Sequence, residues 1–159
     1  MSLEKVKEYL AGFGLADRVI EFSASTATVE LAAKANGVSP GEIAKSLTFK
    51  VEEKPVMIVA AGDAKIDNHK FKERFHTKAK MLAHDEVPLL IGHEVGGVCP
   101  FAFKEGVEVY LDESLKRFKE VRPAAGNDFS AVRLSLEELE RASKSLGWID
   151  VCKLPEGDE

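Results

Sequence analysis

A glycine-rich stretch carries the sequence pattern most suited to holding a small ligand. Residues 92–101 read GHEVGGVCPF, with Gly96 and Gly97 adjacent and Pro100 shortly after them. Glycines let a backbone approach a ligand closely, and successive N–H groups in such a loop hold carbonyl oxygens, oxyanions or phosphates. Ordinary surface turns have the same composition, so both interpretations stay open. The stretch is neither a Walker loop nor a dinucleotide-binding fingerprint, because it lacks the spacing of both motifs.

Lys45 is the second residue suited to chemistry. It follows a short turn and begins the apolar segment KSLTFKV at residues 45–51. A lysine at the start of a strand either extends its ammonium to solvent or serves a pocket, and the first is the commoner case.

Cys99 also allows two interpretations. A thiol nucleophile with His93 as its base requires hydrogen-bond reach between the two and a lowered thiol pKa. A small, partly buried structural thiol is the commoner role. The histidines lack the close paired spacing of a helical zinc site, so we expect no metal and interpret all four as surface residues, namely His69, His76, His84 and His93.

Charge is unevenly distributed along the chain. The net charge is −5, which disfavours a general nucleic-acid coat protein. Residues 65–80 nevertheless hold six Lys or Arg against two acids, a local charge of +4, so the other residues sum to −9 and include the acidic tail Glu156, Asp158 and Glu159. The basic run is either a solvated helix face or a patch for a phosphate backbone. In the second case Lys70, Lys72 and Arg74 are the expected contacts to that phosphate backbone.

Length and composition predict one globular domain over residues 1–159. The chain is 45% hydrophobic and 31% charged, in the range of folded proteins. Two cysteines are too few for a disulfide framework or a cysteine-only zinc site. Its apolar runs are too short to cross a bilayer and the start does not resemble a signal peptide, so we expect a soluble, cytoplasmic protein.

Apolar spacing predicts interleaved helices and strands. The predicted helices are residues 3–13, 29–36, 67–75, 85–91 and 136–146. The last one is expected to direct Leu146 inward and to end at Gly147. Thr28 and Gly37 cap the second helix, and capping boxes begin at Ser39 and Ser135. The predicted strands are 18–22, 45–51, 56–61, 80–83, 107–111, 118–122 and 129–134. Irregular interleaving with hairpin-like neighbours favours an α+β fold with a mixed sheet.

Together these segments resemble the YbaK/prolyl-tRNA-synthetase-associated family of aminoacyl-tRNA editing domains. The resemblance runs from about Arg18 to Leu146. It rests on an ordered set of short segments, at residues 28–33, 37–38, 43–47, 61–63, 92–101 and 136–139.

The resemblance implies an α+β domain with a mixed, largely antiparallel sheet, surrounding helices and a pocket between the lysine strand and the glycine loop. It implies hydrolysis of the ester that joins a wrong amino acid to the 3′ end of a tRNA, with no cofactor. The residues it assigns to catalysis are Lys45, Gly97 and Val98. Those it assigns to substrate binding are Thr28, Ser46, Gly96, Cys99, Pro100, Phe101 and Asn127.

The leading functional hypothesis is a free-standing hydrolase that deacylates mischarged tRNA in trans, with tRNA-Pro as one candidate substrate. Its expected partners are the aminoacylated acceptor end and, as a second candidate, an aminoacyl-tRNA synthetase. The alternatives are a non-catalytic module that binds a tRNA end or a small molecule, and a Cys99-dependent hydrolase.

Three positions depart from the family pattern. Ala102 replaces a glycine that often follows the loop proline by two residues. Residues 125–129 read AGNDF in place of a glycine-rich charged stretch, and Ala131 aligns with an acidic residue of some relatives.

Overall fold

Helices and short strands alternate along residues 2–155, the part of the chain that the computed structural model describes. The acidic tail noted above lies outside these residues. The helices are α1 Ser2–Ala11, α2 Val29–Asn36, α3 Asn68–Phe75, α4 Glu86–Leu90 and α5 Leu136–Ser143. The strands are β1 Val19–Glu21, β2 Ala44–Val51, β3 Lys54–Ala61, β4 Lys65–Ile66, β5 Glu108–Asp112, β6 Glu120–Val121, β7 Ser130–Val132, β8 Leu134–Ser135, β9 Trp148–Ile149 and β10 Cys152–Lys153. No helix within residues 2–155 is long and apolar enough to span a membrane.

A four-stranded mixed sheet forms the centre of the fold, with strand order β2-β3-β5-β9. β2 and β3 form an antiparallel hairpin that pairs Ala44 with Ala61, while β5 runs parallel to both β3 and β9. Residues 56–61 of β3 are almost fully buried. Their continuous apolar sequence predicted a strand covered on both faces, and the structure confirms it.

Three two-stranded antiparallel sheets surround the central sheet, and they pair β1 with β7, β4 with β10 and β6 with β8. Within residues 2–155 antiparallel pairs therefore outnumber parallel ones. The α+β class and the mixed, largely antiparallel sheet are confirmed.

The two faces of β2 have different neighbours. Side chains alternate along a strand, so Ser46 and Thr48 project to one face and Phe49 to the other. The Phe49 ring packs on Phe71 of α3 with centroids 5.0 Å apart. Helix α3 therefore covers the face opposite Ser46 and Thr48.

Local capping sets the ends of the helices beside the sheet. Thr28 Oγ1 accepts the N–H of Leu31 at the start of α2, and Gly37 ends that helix with φ 69°. The predicted capping boxes at Ser39 and Ser135 are both present. These ends were predictable because each depends only on neighbouring residues.

The C-terminal elements differ from prediction. Helix α5 ends at Lys144, which adopts φ 53°, rather than at Gly147. Leu146 is 61% exposed, so its predicted inward orientation is wrong. The predicted strand at 80–83 contributes only a single bridge, between Met81 and Phe49 at the edge of β2. Strands β9 and β10 were missed because two residues give no readable alternation.

Candidate functional site

A cavity of about 450 Å³ lies on the face of β2 that carries Ser46 and Thr48. This volume is in the range of small-molecule sites, roughly 300–1,000 Å³. Six segments contribute to its wall, and the lining residues are Thr26, Ala27, Thr28, Val29, Ala32, Ile43, Ala44, Lys45, Ser46, Thr48, Met81, Leu82, His84, Val87, Val95, Gly96, Val98, Arg122, Ala124, Ser130 and Ala131.

The polar groups of this cavity are all hydroxyl-bearing, basic or backbone groups. Five lining residues carry hydroxyls, namely Thr26, Thr28, Ser46, Thr48 and Ser130. Three carry basic side chains, namely Lys45, His84 and Arg122, and no aspartate or glutamate of the described chain lines the cavity. Such a site suits a ligand that combines an apolar part with negative charge.

Lys45 lies at the border of the cavity, and its ammonium is bound to the backbone. The partly buried side chain donates to the carbonyl oxygen of Gly62 at 3.3 Å and to that of Ala64. Burial lowers the pKa of Lys45, while the nearby Cys152 and Asp63 act in the opposite direction. The ammonium is therefore fixed between β2 and the segment after β3 instead of extending freely into solvent.

The sequence suggested that Gly97 lets the backbone approach a ligand, but in the structure Gly97 packs closely against another segment of the protein. A Cβ at this position would lie 2.6 Å from the carbonyl carbon and oxygen of Gly126 and 2.7 Å from the nitrogen of Asn127. The Gly97 N–H donates to the Glu94 carbonyl at 3.0 Å. Its backbone thus approaches another segment of the protein, and its N–H already has an acceptor.

Gly96 and Val98, on either side of Gly97, are the parts of the loop that border the cavity together with Val95. Both line it, and within residues 2–155 neither N–H has an acceptor. Gly96 adopts φ 98°, a conformation that favours glycine. These two amides are loop donors that remain open to a ligand.

Cys99 lies behind the loop in the core and is not among the lining residues. Its Sγ is 3.5 Å from Nε2 of His93 and 3.7 Å from the carbonyl oxygen of Phe101. Burial raises the pKa of the thiol to about 12. His93 is within reach, but its Nε2 donates to the Phe101 carbonyl and is not free to accept the thiol proton. The thiol is also buried with a raised pKa, which disfavours the nucleophile hypothesis.

His93 corrects the expectation of four surface histidines. Its side chain is 1% exposed, and Nε2 lies 2.7 Å from the carbonyl oxygen of Phe101. Burial lowers the pKa of this imidazole, while the bond to Phe101 acts in the opposite direction. His93 is a core residue that fastens one end of the loop to the other.

The remaining predicted binding residues divide between the cavity and its support. Thr28 and Ser46 line the cavity, and Ser46 Oγ has no hydrogen-bond partner within the described residues. Pro100 and Phe101 are buried behind the loop. Asn127 lies outside the lining, where its Oδ1 accepts the hydroxyl of the lining residue Ser130 at 2.7 Å.

Sequence reasoning missed several lining residues with polar side chains. Thr26, His84, Arg122 and Ser130 come from segments far apart in the chain. Arg122 ended a predicted strand and His84 followed another, but nothing local distinguished them from surface residues. Only the tertiary fold brings them to Lys45.

The basic run lies on the other side of the sheet. Lys70 pairs with Asp150 at 3.0 Å, and Arg74 lies over the rings of Phe75 and Tyr110. These partners belong to the α3 face of the central sheet, opposite the cavity. Among residues 2–155 there is also no cluster of His, Cys, Asp and Glu able to hold a metal ion.

Comparison with known proteins places this arrangement in a family. The aminoacyl-tRNA editing domain matches residues 23–142, which include Lys45 and the whole glycine loop. The chain belongs to the aminoacyl-tRNA editing domain family.

The relatives of this editing domain include chains of similar length and parts of larger enzymes. It is 51% identical to the uncharacterized protein YwhH of Bacillus subtilis (strain 168) over 154 residues, which cover 96% of this chain and 98% of YwhH. It is 30% identical to the proline–tRNA ligase of the same organism over 122 residues, which cover 76% of this chain but 21% of the ligase.

Solved structures share the fold of this editing domain. One, described as a candidate trans-editing enzyme for prolyl tRNA synthetase, superposes with a TM-score of 0.86 at 29% identity and covers 96% of this chain and 97% of that one. Another, the hypothetical protein APE2540, gives a TM-score of 0.83 at 29% identity, with 94% and 99% coverage.

The structure explains one departure of this editing domain from the family pattern and locates another. Ala102 adopts φ 53°, a left-handed conformation that glycine adopts without strain. The backbone conformation therefore explains why glycine is common at this position in the family. Ala131, which aligns with an acidic residue of some relatives, is 2% exposed and lines the cavity. Because this position carries a methyl group and not a carboxylate, it adds no negative charge to the cavity wall.

Proposed function

We propose that this editing domain hydrolyses the ester bond of mischarged tRNA. The observation that carries the proposal is the cavity that has Lys45 at its border and the open N–H groups of Gly96 and Val98 on its wall. Family membership supports the same reaction class.

The chemistry requires little from the protein side chains. Water adds to the ester carbonyl, the carbonyl oxygen becomes an oxyanion, and the ribose oxygen leaves with a proton to give free amino acid and tRNA. The N–H groups of Gly96 and Val98 stabilise the oxyanion, and Lys45 orients the ester or holds a phosphate. Since no carboxylate of residues 2–155 lines the cavity, the vicinal ribose hydroxyl of the substrate is the group we assign to orienting water.

Similarity to known proteins supports action in trans and a link to proline tRNA. The chain corresponds almost end to end to YwhH and to the candidate trans-editing enzyme for prolyl tRNA synthetase. Its proline–tRNA ligase relatives contain the matching region as about one fifth of their length. We therefore propose tRNA-Pro carrying a smaller amino acid as the first substrate to test.

The decisive experiment incubates the protein with a panel of mischarged tRNAs and measures ester loss. We expect hydrolysis of at least one misacylated tRNA-Pro and a decrease of more than about tenfold in kcat/KM for Lys45→Ala. Lys54→Ala is the matched control, because Lys54 is an exposed lysine of the adjoining strand β3 with only a long ion pair to Glu108 at 3.8 Å. Thermal unfolding of both variants separates lost chemistry from lost folding, because Lys45 also binds two backbone carbonyls.

Two outcomes would overturn the proposal: no ester loss from any charged tRNA, or loss that Lys45→Ala leaves unchanged. The absence of a carboxylate from the cavity makes a non-catalytic binding module the second candidate. That candidate predicts salt-dependent binding of tRNA without deacylation. Association with a synthetase remains a separate prediction, tested by co-purification with the prolyl enzyme.

A further inference from the structure

Arg122 occupies a fixed position on the wall of the cavity. Its N–H donates to the Glu42 carbonyl at 2.8 Å, and its carbonyl accepts the N–H of Ala44 at 3.2 Å. These bonds attach the Arg122 backbone to the segment that enters β2, directly before Lys45. The side chain is partly buried and contributes to the lining.

Asn36 orients the guanidinium group. Nη1 of Arg122 donates to Oδ1 of Asn36 at 3.1 Å, and Nδ2 of Asn36 donates to the carbonyl of Ala32 at 2.8 Å. The second bond requires the amide oxygen to face Arg122, so the orientation of the amide and that of the guanidinium support each other. One donor of the guanidinium is engaged by a neutral oxygen, and the rest of the planar group remains available.

Arg122 is partly buried and lacks the counter-charge that Arg18 and Arg117 have. The other arginines that form no ion pair among the described residues are exposed, namely Arg74, Arg133 and Arg141. Arg18 pairs with Glu138 at 2.8 Å, and Arg117 pairs with Asp63 at 2.6 Å. Within residues 2–155 Arg122 forms no ion pair with a carboxylate, and the cavity it faces has no acidic lining residue. An anionic ligand in the cavity would supply the counter-charge that the described residues do not.

The substrate class limits which anion this is. An aminoacyl ester has no free carboxylate, because its carboxyl carbon is bonded to the ribose. The negative charge that a tRNA 3′ end brings into the cavity is therefore phosphate. A guanidinium presents parallel N–H donors that match two phosphate oxygens.

We propose that Arg122 is a phosphate-binding residue of this cavity and that it holds the phosphate of the 3′-terminal nucleotide of the tRNA. The inference rests on the proposed function for the identity of the ligand. Lys45, which borders the same cavity, adds a second cationic side chain to its wall. Asn36 is the positioning residue that orients the guanidinium.

The test compares the binding of adenosine 5′-monophosphate and adenosine by calorimetry. We expect the wild-type protein to bind the monophosphate about tenfold more tightly, since hydrogen bonds to charged groups have that magnitude. Arg122→Gln is expected to abolish the preference, and Asn36→Ala to reduce it. Arg133→Gln is the matched control because Arg133 is exposed, close in sequence and outside the cavity, so its preference should equal that of wild type.

A second readout separates this proposal from the proposed function. With mischarged tRNA, Arg122→Gln is expected to raise KM about tenfold and to leave kcat within about twofold, because phosphate binding is shared by ground and transition states. If wild type deacylates tRNA but does not prefer the monophosphate, or if Arg122→Gln retains the preference, the role of Arg122 is wrong and the deacylase stands. If the preference depends on Arg122 but no ester is hydrolysed, the phosphate-binding role of Arg122 is supported and the proposed deacylase activity is wrong. Thermal unfolding verifies that each variant is folded. If Arg122→Gln is not, Arg122→Lys replaces it; this variant keeps the charge but loses the paired donors, so it should reduce the preference without abolishing it.

Discussion

Ala102 is a residue at which this chain departs from its family and retains backbone strain. Its φ of 53° lies in the left-handed region, where a Cβ costs about 1–2 kcal/mol relative to glycine. Glycine loses part of that advantage through the greater freedom of the unfolded chain. We therefore expect Ala102→Gly to raise the free energy of unfolding by about 0.5–1 kcal/mol, measured by urea denaturation. A decrease would show that packing of the methyl group against the core outweighs the strain.

Cys99 gives a prediction about pH because its thiol is buried. The pKa is raised from 9.0 to about 12, so the folded state keeps the proton over a range in which the unfolded state loses it. Stability from this group is present below pH 9 and falls by about 1.4 kcal/mol per pH unit as the pH rises from 9 toward 12. The free energy of unfolding of wild type minus that of Cys99→Ala should decrease over this interval, measured by denaturation at each pH. A constant difference would contradict the burial of the thiol.

At the scale of single residues, sequence reasoning identified groups that belong to local motifs. Lys45, Gly96 and Val98 line the cavity, and the sequence drew attention to them because short segments typical of the family surround them. Arg122 and His84 were missed because their significance depends on what lies across the cavity. Gly97 has a structural reason that its sequence did not reveal, because its backbone lies against the segment 126–127.

The glycine loop as an element is held by its contact with residues 126–127. Gly97→Ala would place a methyl group 2.6 Å from backbone atoms that cannot rotate away. We expect a loss of more than about 2 kcal/mol in unfolding free energy and lower deacylation, because the loop that carries the two open amides must shift. Gly106→Ala is the control in the same connection, because a Cβ there meets nothing within 4 Å although its φ of 96° adds strain. Gly97 itself has no positive φ, so a loss for Gly97→Ala no larger than that for Gly106→Ala would contradict the importance of the close contact.

Elements were predictable where short-range signals agree. The hairpin of β2 and β3, the caps of α2 and the capping box of α5 each depend on residues a few positions apart. The end of α5 was not predictable, because Lys144 adopts the left-handed conformation that a glycine usually adopts at the end of a helix. Strands β4, β9 and β10 exist through tertiary pairing, and two residues give no periodicity from which to predict it.

At the scale of the whole molecule, the central sheet separates the basic helix α3 from the cavity. The sequence showed a charge of +4 over residues 65–80 but not the side on which it lies. Lys72 and Arg74 are exposed on the α3 side, and screening at physiological salt acts over about 8 Å. We expect Lys72→Glu with Arg74→Glu to change kcat/KM for mischarged tRNA less than about twofold, a smaller effect than Arg122→Gln. A larger decrease, removed by added salt, would show that the tRNA body reaches around the sheet to α3.

The cavity is lined both by a hydrogen-bonded strand and by an irregular loop, and the amides of these two parts should differ in hydrogen exchange. Its floor is β2, hydrogen-bonded along its whole length to the buried strand β3, whereas residues 92–106 on its wall form no helix or strand. Amides in the hairpin should exchange only through large-scale opening, and the open loop amides should exchange rapidly. A ligand bound to Gly96 and Val98 should therefore slow exchange in the loop and leave the strands unchanged, so deuterium uptake locates an occupied site without any catalytic turnover.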